Sequence, residues 1–449
     1  MATTPVDVTP LFDRIEVETL ARETAFVQRS SPITGMRFLV TFTAGLLNTP
    51  GGTLAQLAAF LGATCGAPVS TQALDERIGE AAQRFLKLCL ARALALASHV
   101  KGLGEDAVRA FDHIYVMDST RFDLHPSLAP AFKGNGGGAS PAALRIQFAF
   151  DYRTGFMHVE IGDVYLSDPS TLARWVSDGT LPMDGVCLLL CDLGYFKTAT
   201  FAQIRTYPGS HFLSRLQFGV GLARPDGTPL DLNGLLRKPP PVIDLPVLLG
   251  NTPCRLVGRR LPDTVVAARL RKANQACKSK TRRICAAYWL FLHYALFITS
   301  LPSEYGPDPL FALYRIRWQI ELTFKVWKSI LAIHRVHSAR RDRLLCEIYG
   351  KLTVAVILAT VRATAEALLD GLVLSLHKVA RYLKAIATFW AIAILDGSAS
   401  HHVFIACLQR AVTRLCRKTN HRTKPTIATI LAAALGTPQP DPMRNSLLA

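Results

Sequence analysis

The chain lacks several features that mark whole classes of protein. It has no stretch of eighteen uninterrupted apolar residues, and the nearest candidate, residues 286–300, is short and contains His293; a membrane-spanning helix is therefore not expected. The cysteines include no C-x-x-C pair, so reduced thiols explain them better than zinc or disulfides. The first residues, MATTPVDVTPLFDRIEVE, are partly acidic and have no apolar core, which is not expected of a signal peptide.

Acidic residues are also scarce relative to basic ones. The 449 residues include 51 Lys and Arg against 33 Asp and Glu, giving a net charge of +18 and a pI near 9.7. Such an excess favours a polyanionic partner, with nucleic acid first and an anionic membrane second. Half of the residues are hydrophobic, which indicates a globular protein, long enough for two to four domains.

The pattern along the chain alternates between helical and strand-like regions. Residues 1–105 are predicted to be helical, with one helix at Leu54–Leu61 and a second helix capped by Ser70. This pair resembles a helix-turn-helix, although two packed helices without DNA contact explain it equally well. Short strands are then predicted, and one run, Gly185–Cys191, is apolar throughout, as a central strand covered on both faces would be. The loop that contains Lys133 lacks the G-K-[ST] ending of a phosphate-binding P-loop.

One segment, YRIRWQIELTFKVWK at residues 314–328, is the most informative in the chain. If it forms one helix, Tyr314, Arg317, Glu321 and Lys328 project within roughly 60° of one another. A carboxylate can hold a metal ion, and Arg and Lys bind phosphate oxygens; a solvated charged face is the alternative. A neighbouring face is predicted to be the buried one, formed by Leu313, Ile316, Ile320, Phe324 and Trp327.

Three carboxylates are candidates for one metal site. Asp118 and Asp192 each follow a predicted strand, and the carboxyl ends of neighbouring strands point into one crevice. If Glu321 reaches the same place, the three side chains need divalent cations to offset their repulsion, and oxygen ligands suit Mg²⁺ or Mn²⁺. Two such ions suit an in-line phosphoryl displacement. Turn or helix-cap roles are predicted for the other aspartates, Asp123, Asp151, Asp163 and Asp168.

These residues resemble the insertion sequence four family of bacterial DDE transposases. The segment at 314–328 contains the full Y-(2)-R-(3)-E-(6)-K signature of that family. VMDSTRFDL around Asp118 and CDLGYF around Asp192 resemble its first and second aspartate segments. FLSRLQF near Arg215 and ITSLP at residues 298–302 resemble further segments, and the resemblance extends over most of residues 30–345.

The resemblance implies an α/β fold with an RNase H-like catalytic core that a β-rich insertion splits in two. The implied regions are a helical N-terminal DNA-binding region (1–105), the first part of the core (106–206), the insertion (207–284), the second part of the core (285–345) and a helical C-terminal region for dimerisation or DNA contact (346–449).

The resemblance also implies a chemistry. Asp118, Asp192 and Glu321 would be catalytic and would ligate two Mg²⁺ or Mn²⁺ ions, and DNA would be bound by Tyr314, Arg317, Lys328 and Arg215. Independently of the family, Trp318 projects close to the same stripe and could stack on an unpaired base, with core packing as the alternative. The expected enzyme is a cut-and-paste DNA transposase with a hairpin intermediate, working as a homodimer in a synaptic complex on double-stranded inverted-repeat ends and target DNA.

Two alternatives fit the same residues: a transposase-derived DNA-binding protein without activity, and a structure-selective Mg²⁺-dependent nuclease. A cytoplasmic, nucleoid-associated bacterial protein is expected, with no membrane partner. Eight basic residues are predicted to line the DNA path, with solvated faces as the alternative: Lys278, Lys280, Arg282, Arg283, Arg335, Arg340, Arg341 and Arg343.

Overall fold

The computed structural model describes residues 8–66, 68–97, 108–136, 139–240, 242–278, 283–336, 338–368, 373–418 and 427–435. The strands are β1 (His113–Asp123), β2 (Ala143–Asp151), β3 (Met157–Gly162), β4 (Cys187–Cys191), β5 (Ser210–Arg215), β6 (Ile243–Leu249), β7 (Thr252–Arg260) and β8 (Tyr294–Thr299). The helices are α1 (Arg14–Glu23), α2 (Gly35–Val40), α3 (Leu46–Asn48), α4 (Leu54–Cys65), α5 (Thr71–Glu76), α6 (Glu80–Ala97), α7 (Asp168–Ser177), α8 (Thr198–Ile204), α9 (Leu232–Arg237), α10 (Asp263–Lys278), α11 (Ala286–Phe291), α12 (Pro307–Arg315), α13 (Trp318–Ser329), α14 (Arg341–Ala367), α15 (Leu376–Ala385), α16 (Ala387–Asp396), α17 (Ser398–Leu415) and α18 (Ile427–Leu435).

The chain forms two compact units. Unit 1 comprises residues 1–103, 119–166 and 320–424, and unit 2 comprises residues 104–118, 167–319 and 425–449. The division passes through β1 after Asp118 and through α13 after Gln319, so each of these elements contributes to both units.

Unit 2 is built on a mixed sheet whose strands follow the order β1-β4-β5-β8-β7-β6. β1, β4 and β5 are parallel, whereas β8, β7 and β6 continue the sheet in antiparallel pairs. All five residues of β4 are buried, which confirms the prediction of a central strand. On β5, Phe212 stacks on Phe201 of α8 with ring centroids 4.4 Å apart, so that a helix covers this part of the sheet.

Unit 1 combines helices with a hairpin. β2 and β3 form an antiparallel hairpin, from Arg145 opposite Gly162 to Phe150 opposite Met157. Gly155 in its turn has a φ of 78°, a conformation that glycine adopts without a steric penalty. In the strand order these two follow β1, as β3-β2-β1. The fold is mixed α/β with helices towards both ends, as predicted.

The central helix of unit 1 is α14. By length and composition it could cross a bilayer, but 89% of its apolar window is buried inside the protein, as expected for the core helix of a globular fold. It approaches a π-helical turn, Thr41–Gly45, so closely that a Cβ at Gly350 would collide with the carbonyl oxygen of Phe42. Glycine is therefore required at position 350 for this packing.

Two sequence-based interpretations differ from the structure. β1 extends to Asp123, so Asp118 lies inside this strand and not at its end. The stretch predicted as β-rich, residues 207–284, contains the sixteen-residue helix α10 in addition to β5, β6 and β7. Most residues of α10 are exposed, so its sequence carries no strong apolar periodicity that would have predicted a helix.

Candidate functional site

The two predicted catalytic aspartates lie on or directly after two neighbouring parallel strands, Asp118 within β1 and Asp192 after β4. The register of β1 and β4 pairs His113 with Cys187 and continues to Val116 opposite Leu190. Extending this register by two positions, one residue past the end of β4 at Cys191, aligns Asp118 with Asp192. Residues directly opposite one another in adjacent strands lie on the same face of a sheet. Both aspartates belong to unit 2, Asp118 within β1 and Asp192 directly after β4, and their meeting at one metal site stays a prediction.

Arg215 lies on the third parallel strand. β4 and β5 are in register from Cys187 opposite Ser210 to Cys191 opposite Ser214, so Asp192 and Arg215 follow as the next pair. Arg215 is the last residue of β5, the strand next to β4. Its predicted role in holding a phosphate stays a prediction.

Asp192 begins a short 3₁₀ helix, Leu193–Tyr195, but its side chain accepts no capping hydrogen bond in the described part of the chain. Its carboxylate is not used as the helix cap that is the common role of an aspartate after a strand. Other aspartates do have the predicted structural roles: Asp151 accepts from the Arg153 N–H and the Thr154 hydroxyl, and Asp163 accepts from the Tyr165 N–H.

The segment that carries the four-residue signature is not one continuous helix. α12 ends at Arg315 and α13 begins at Trp318, with Ile316 and Arg317 in the turn between them. The turn is tightened by i→i+3 hydrogen bonds, Arg317 N–H to Tyr314 O at 3.2 Å and Gln319 N–H to Ile316 O at 2.9 Å. The predicted single stripe is therefore wrong in geometry. The predicted buried face is confirmed, since its five members are all buried: Leu313, Ile316, Ile320, Phe324 and Trp327.

The turn places Arg317 beside the first aspartate. Its Nη1 lies 3.9 Å from Oδ2 of Asp118, and the side chains are 12% and 24% exposed. The guanidinium also lies over the Tyr314 ring, 5.7 Å from its centroid. The helix is thus interrupted where Arg317 makes these contacts, and tertiary contacts can override the intrinsic preference of a segment for a regular helix.

Tyr314 connects α12 to the strand that precedes the second aspartate. Its hydroxyl donates to the carbonyl oxygen of Cys191 at 3.2 Å, and its ring packs edge-on against Phe297 at 4.7 Å. Burial raises the pKa of Tyr314, which Arg317 and Arg215 oppose and Asp192 reinforces. The phenol thus remains protonated and can act as a donor at neutral pH.

The remaining predicted residues lie on α13. Glu321, in the first turn of this helix, is half-buried and belongs to unit 1, as does Lys328, which is exposed. Trp318 is 56% exposed, so the alternative of core packing is wrong for this side chain. Among the described residues, no three His, Cys, Asp or Glu side chains are grouped as a metal site.

Sequence reasoning missed the residues that support α12. Arg255 on β7 contacts the segment that precedes this helix, and Phe297 on β8 packs against two of its aromatic rings. No local motif marks either residue, since an arginine in a basic stretch and a phenylalanine in an apolar run are common. Only the cross-strand register could have indicated them.

Comparisons with known proteins agree with the signature. A family described as Transposase DDE domain matches residues 109–357, more than half of the chain. The transposase for insertion sequence element IS231F of Bacillus thuringiensis subsp. israelensis is 28% identical over 381 residues, covering 79% of this chain and 77% of the relative. The transposase for IS1151 of Clostridium perfringens is 26% identical over 386 residues, covering 80% of each chain.

Among solved structures, a piggyBac transposase synaptic complex with hairpin DNA aligns over 93% of this chain and 86% of that chain, at 10% identity and a TM-score of 0.44. The match of the family to residues 109–357, together with the complete signature at 314–328, decides the assignment. The chain belongs to the bacterial insertion-sequence transposases with a DDE domain.

Proposed function

We propose that this protein is an active DDE transposase, which cleaves the ends of a DNA element and joins them to target DNA. The observation that carries the proposal is that Asp118 lies on β1 and Asp192 directly follows the neighbouring parallel strand β4, with Arg317 3.9 Å from Asp118. A transposase-derived protein without activity would have no need to keep these two carboxylates.

The donor set suits hard divalent cations. Carboxylate oxygens are the ligands that Mg²⁺ and Mn²⁺ prefer, and Asp118 and Asp192 supply such oxygens. Glu321 is proposed as the third ligand on the strength of the family signature. Two bound ions would supply a nucleophilic water or hydroxyl and stabilise the leaving oxygen.

The other signature residues are proposed to hold the DNA. Arg215 and Arg317 can bind phosphate oxygens by charge-assisted hydrogen bonds. Tyr314 keeps α12 attached to the end of β4 through the Cys191 carbonyl. Exposed Lys328 contributes a further positive charge, and exposed Trp318 offers a surface on which an unpaired base can stack.

The finer steps of the reaction follow from the family resemblance. Hydrolysis of the 3′ strand at each end frees a hydroxyl, which attacks the opposite strand to form a hairpin that is reopened before strand transfer. Two copies of the chain would act together on inverted-repeat ends, in the bacterial cytoplasm. The helical regions at 1–105 and 346–449 are proposed to provide end recognition and dimerisation.

The test is cleavage of the element's own ends by the purified protein. DNA containing the inverted repeats that flank the coding region is incubated with Mg²⁺, and the 3′ nicks and hairpins are resolved on denaturing gels. Asp118→Asn, Asp192→Asn and Glu321→Gln should abolish nicking and keep DNA binding. Asp226→Asn is the matched control, since Asp226 accepts hydrogen bonds from Thr228 in an exposed turn and its loss should leave nicking intact.

Two outcomes would replace the proposal, and a third would revise its ligand set. Salt-sensitive binding without metal-dependent nicking would indicate the inactive DNA-binding protein. Nicking without joining of pre-cleaved ends would indicate the structure-selective nuclease. Normal nicking by Glu321→Gln would remove Glu321 from the site and leave only the two aspartates as proposed ligands.

A further inference from the structure

We propose that Arg255 is a positioning residue of the catalytic site. Held by Asp244, it fixes the segment that leads into α12 and so sets where this helix presents Tyr314 to the end of β4. The catalytic part of this inference rests on the proposed transposase function, whereas the structural part does not.

The first half of the arrangement is a two-point ion pair on neighbouring strands. Nε of Arg255 donates to Oδ1 of Asp244 at 3.0 Å, and Nη2 donates to Oδ2 at 2.6 Å. Asp244 lies opposite Val257 and Arg255 lies opposite Pro246 in the antiparallel register of β6 and β7, so the pair is diagonal across the two strands. Paired, parallel hydrogen bonds of this kind fix the plane of the guanidinium.

The third guanidinium nitrogen of Arg255, Nη1, contacts one short stretch of backbone. Nη1 of Arg255 donates to the carbonyl oxygens of Leu301 at 3.0 Å, Pro302 at 2.6 Å and Tyr305 at 3.1 Å. The arginine is 9% exposed and Tyr305 is completely buried. Buried carbonyl groups need a hydrogen-bond donor. The guanidinium of Arg255 is the donor for all three of these carbonyl groups.

This stretch determines where α12 begins. α12 starts at Pro307, two residues after Tyr305. From the same face of β7, Arg259 donates to Asp308 at 3.2 Å and lies 4.2 Å from the centroid of the Phe311 ring. β7 therefore contacts both the approach to α12 and its first turns, through two arginines four positions apart.

β8 completes the support between β7 and the site. The ring of Phe297 packs against Phe311 at 5.0 Å and Tyr314 at 4.7 Å, and Phe297 lies opposite Arg215 on β5. A displacement at the start of α12 would thus be transmitted to the Tyr314 hydroxyl and its bond to Cys191. Misplacement of about 1 Å far from the reacting atoms can lower a catalytic rate about a hundredfold.

Lysine cannot replace this arginine. A guanidinium provides five N–H groups in one plane, whereas an ammonium is a single point charge with three donors. Arg255→Lys preserves the charge and removes the planar fork. Asp244→Asn retains the arginine and its carbonyl contacts but weakens the partner that orients it, so its effect should be the smaller of the two.

The experiment compares Arg255→Lys and Asp244→Asn with Arg260→Lys in the full-length protein. Arg260 is the matched control, because it lies on the same strand in an exposed pair with Asp263 at 3.7 Å, and such pairs contribute little to stability. Hydrogen exchange of the DNA-free protein is followed in residues 305–317 and in β4. Single-turnover cleavage is measured at saturating end DNA.

We expect exchange in residues 305–317 to increase about tenfold or more in Arg255→Lys, with β4 unchanged. Cleavage by the bound complex should slow by about tenfold to a hundredfold, while the Kd for end DNA stays within about threefold. Asp244→Asn should show smaller changes in the same direction, and Arg260→Lys should match the unaltered protein.

Unchanged exchange in residues 305–317 of both variants would overturn the proposal. An equal increase throughout the protein, β4 included, would also overturn it, because Arg255 would then be a general stabilising residue. If the unaltered protein does not cleave DNA, the proposed function fails, and the exchange measurement still decides whether Arg255 positions α12. If Arg255→Lys does not fold, hydrogen exchange in residues 305–317 of Asp244→Asn answers the same question.

Discussion

The Tyr314 hydroxyl donates a hydrogen bond of 3.2 Å to the carbonyl oxygen of Cys191, the last residue of β4. The next residue is Asp192, so the phenol of the signature is bonded to the backbone that leads directly into a proposed metal ligand. The signature tyrosine therefore has a structural task within unit 2: it fixes the distance between α12 and the end of the central strand.

Replacing Tyr314 by Phe should test this task. The change keeps the ring contact with Phe297 and removes only the hydroxyl, which leaves the Cys191 carbonyl without this donor. We expect a loss of about 1–3 kcal/mol in the free energy of unfolding and slower single-turnover cleavage with end-DNA affinity retained. Urea unfolding and cleavage gels measure the two effects. Tyr165→Phe, at a residue that is 70% exposed, is the control, and equal behaviour of the two variants would contradict the assignment.

Lys328 should make one phosphate contact. It is exposed on α13, as is Lys325, which is not part of the signature. Removing one contact reduces the slope of log K against log salt concentration by about 0.9. We therefore expect Lys328→Gln to bind end DNA with a slope lower by about this amount, and Lys325→Gln to keep the original slope. Binding titrations at four or more salt concentrations measure both; a shared change in slope would indicate a general charge effect.

Apolar periodicity and strand hydrophobicity predicted a large part of the fold. The unbroken run that became β4 is hydrophobic because both of its faces are covered, and this pattern is visible without coordinates. The buried face of the signature segment was likewise predicted in full. The turn at Ile316 and Arg317 was not predicted. Arg317 lies beside Asp118, which is far away in the sequence, and no local pattern indicates such a contact.

The eight basic residues predicted to line the DNA path show a second reason why the sequence predicts the site only in part. Arg340 pairs with Asp75 at 2.8 Å, and Arg343 pairs with the buried Glu347 at 3.0 Å, so part of the charge predicted to line the DNA path is bound within unit 1. Lys280 and Arg282, from the same prediction, lie outside the described residues. A sequence gives the number of charges but not their partners.

Lys351 should make the stability of the protein depend on pH. It is 1% exposed on α14 and donates to the carbonyl oxygens of Ala332 and Arg335 at 3.0 Å each. Burial lowers the pKa of Lys351 to about 8, an effect that Glu347 opposes, whereas the unfolded chain has a lysine pKa of about 10.4. Between these values the unfolded state binds more protons, so the free energy of unfolding should rise with pH.

The expected gain from Lys351 is roughly 3 kcal/mol between pH 7 and pH 10.5. Urea unfolding at intervals of half a pH unit measures it, and Lys351→Met serves as the reference that lacks this titration. The difference between the two proteins should increase in favour of the unaltered protein as the pH rises. A constant difference would show that Lys351 titrates normally in the folded state.

Replacing Trp318 and Trp327 separately should distinguish a DNA contact from core packing on the same helix. Both lie on α13, but Trp318 is 56% exposed and Trp327 is 3% exposed, with its ring 5.1 Å from that of Phe148. Trp327→Ala should cost about 3–5 kcal/mol of stability, whereas Trp318→Ala should change it by less than about 0.5 kcal/mol. If Trp318 stacks on an unpaired base, its replacement should weaken end-DNA binding by about 1–3 kcal/mol. Fluorescence of 2-aminopurine placed near the cleavage site should then be higher with Trp318→Ala, since an unstacked base is less quenched. Unchanged binding and unchanged fluorescence would show that Trp318 contacts no base.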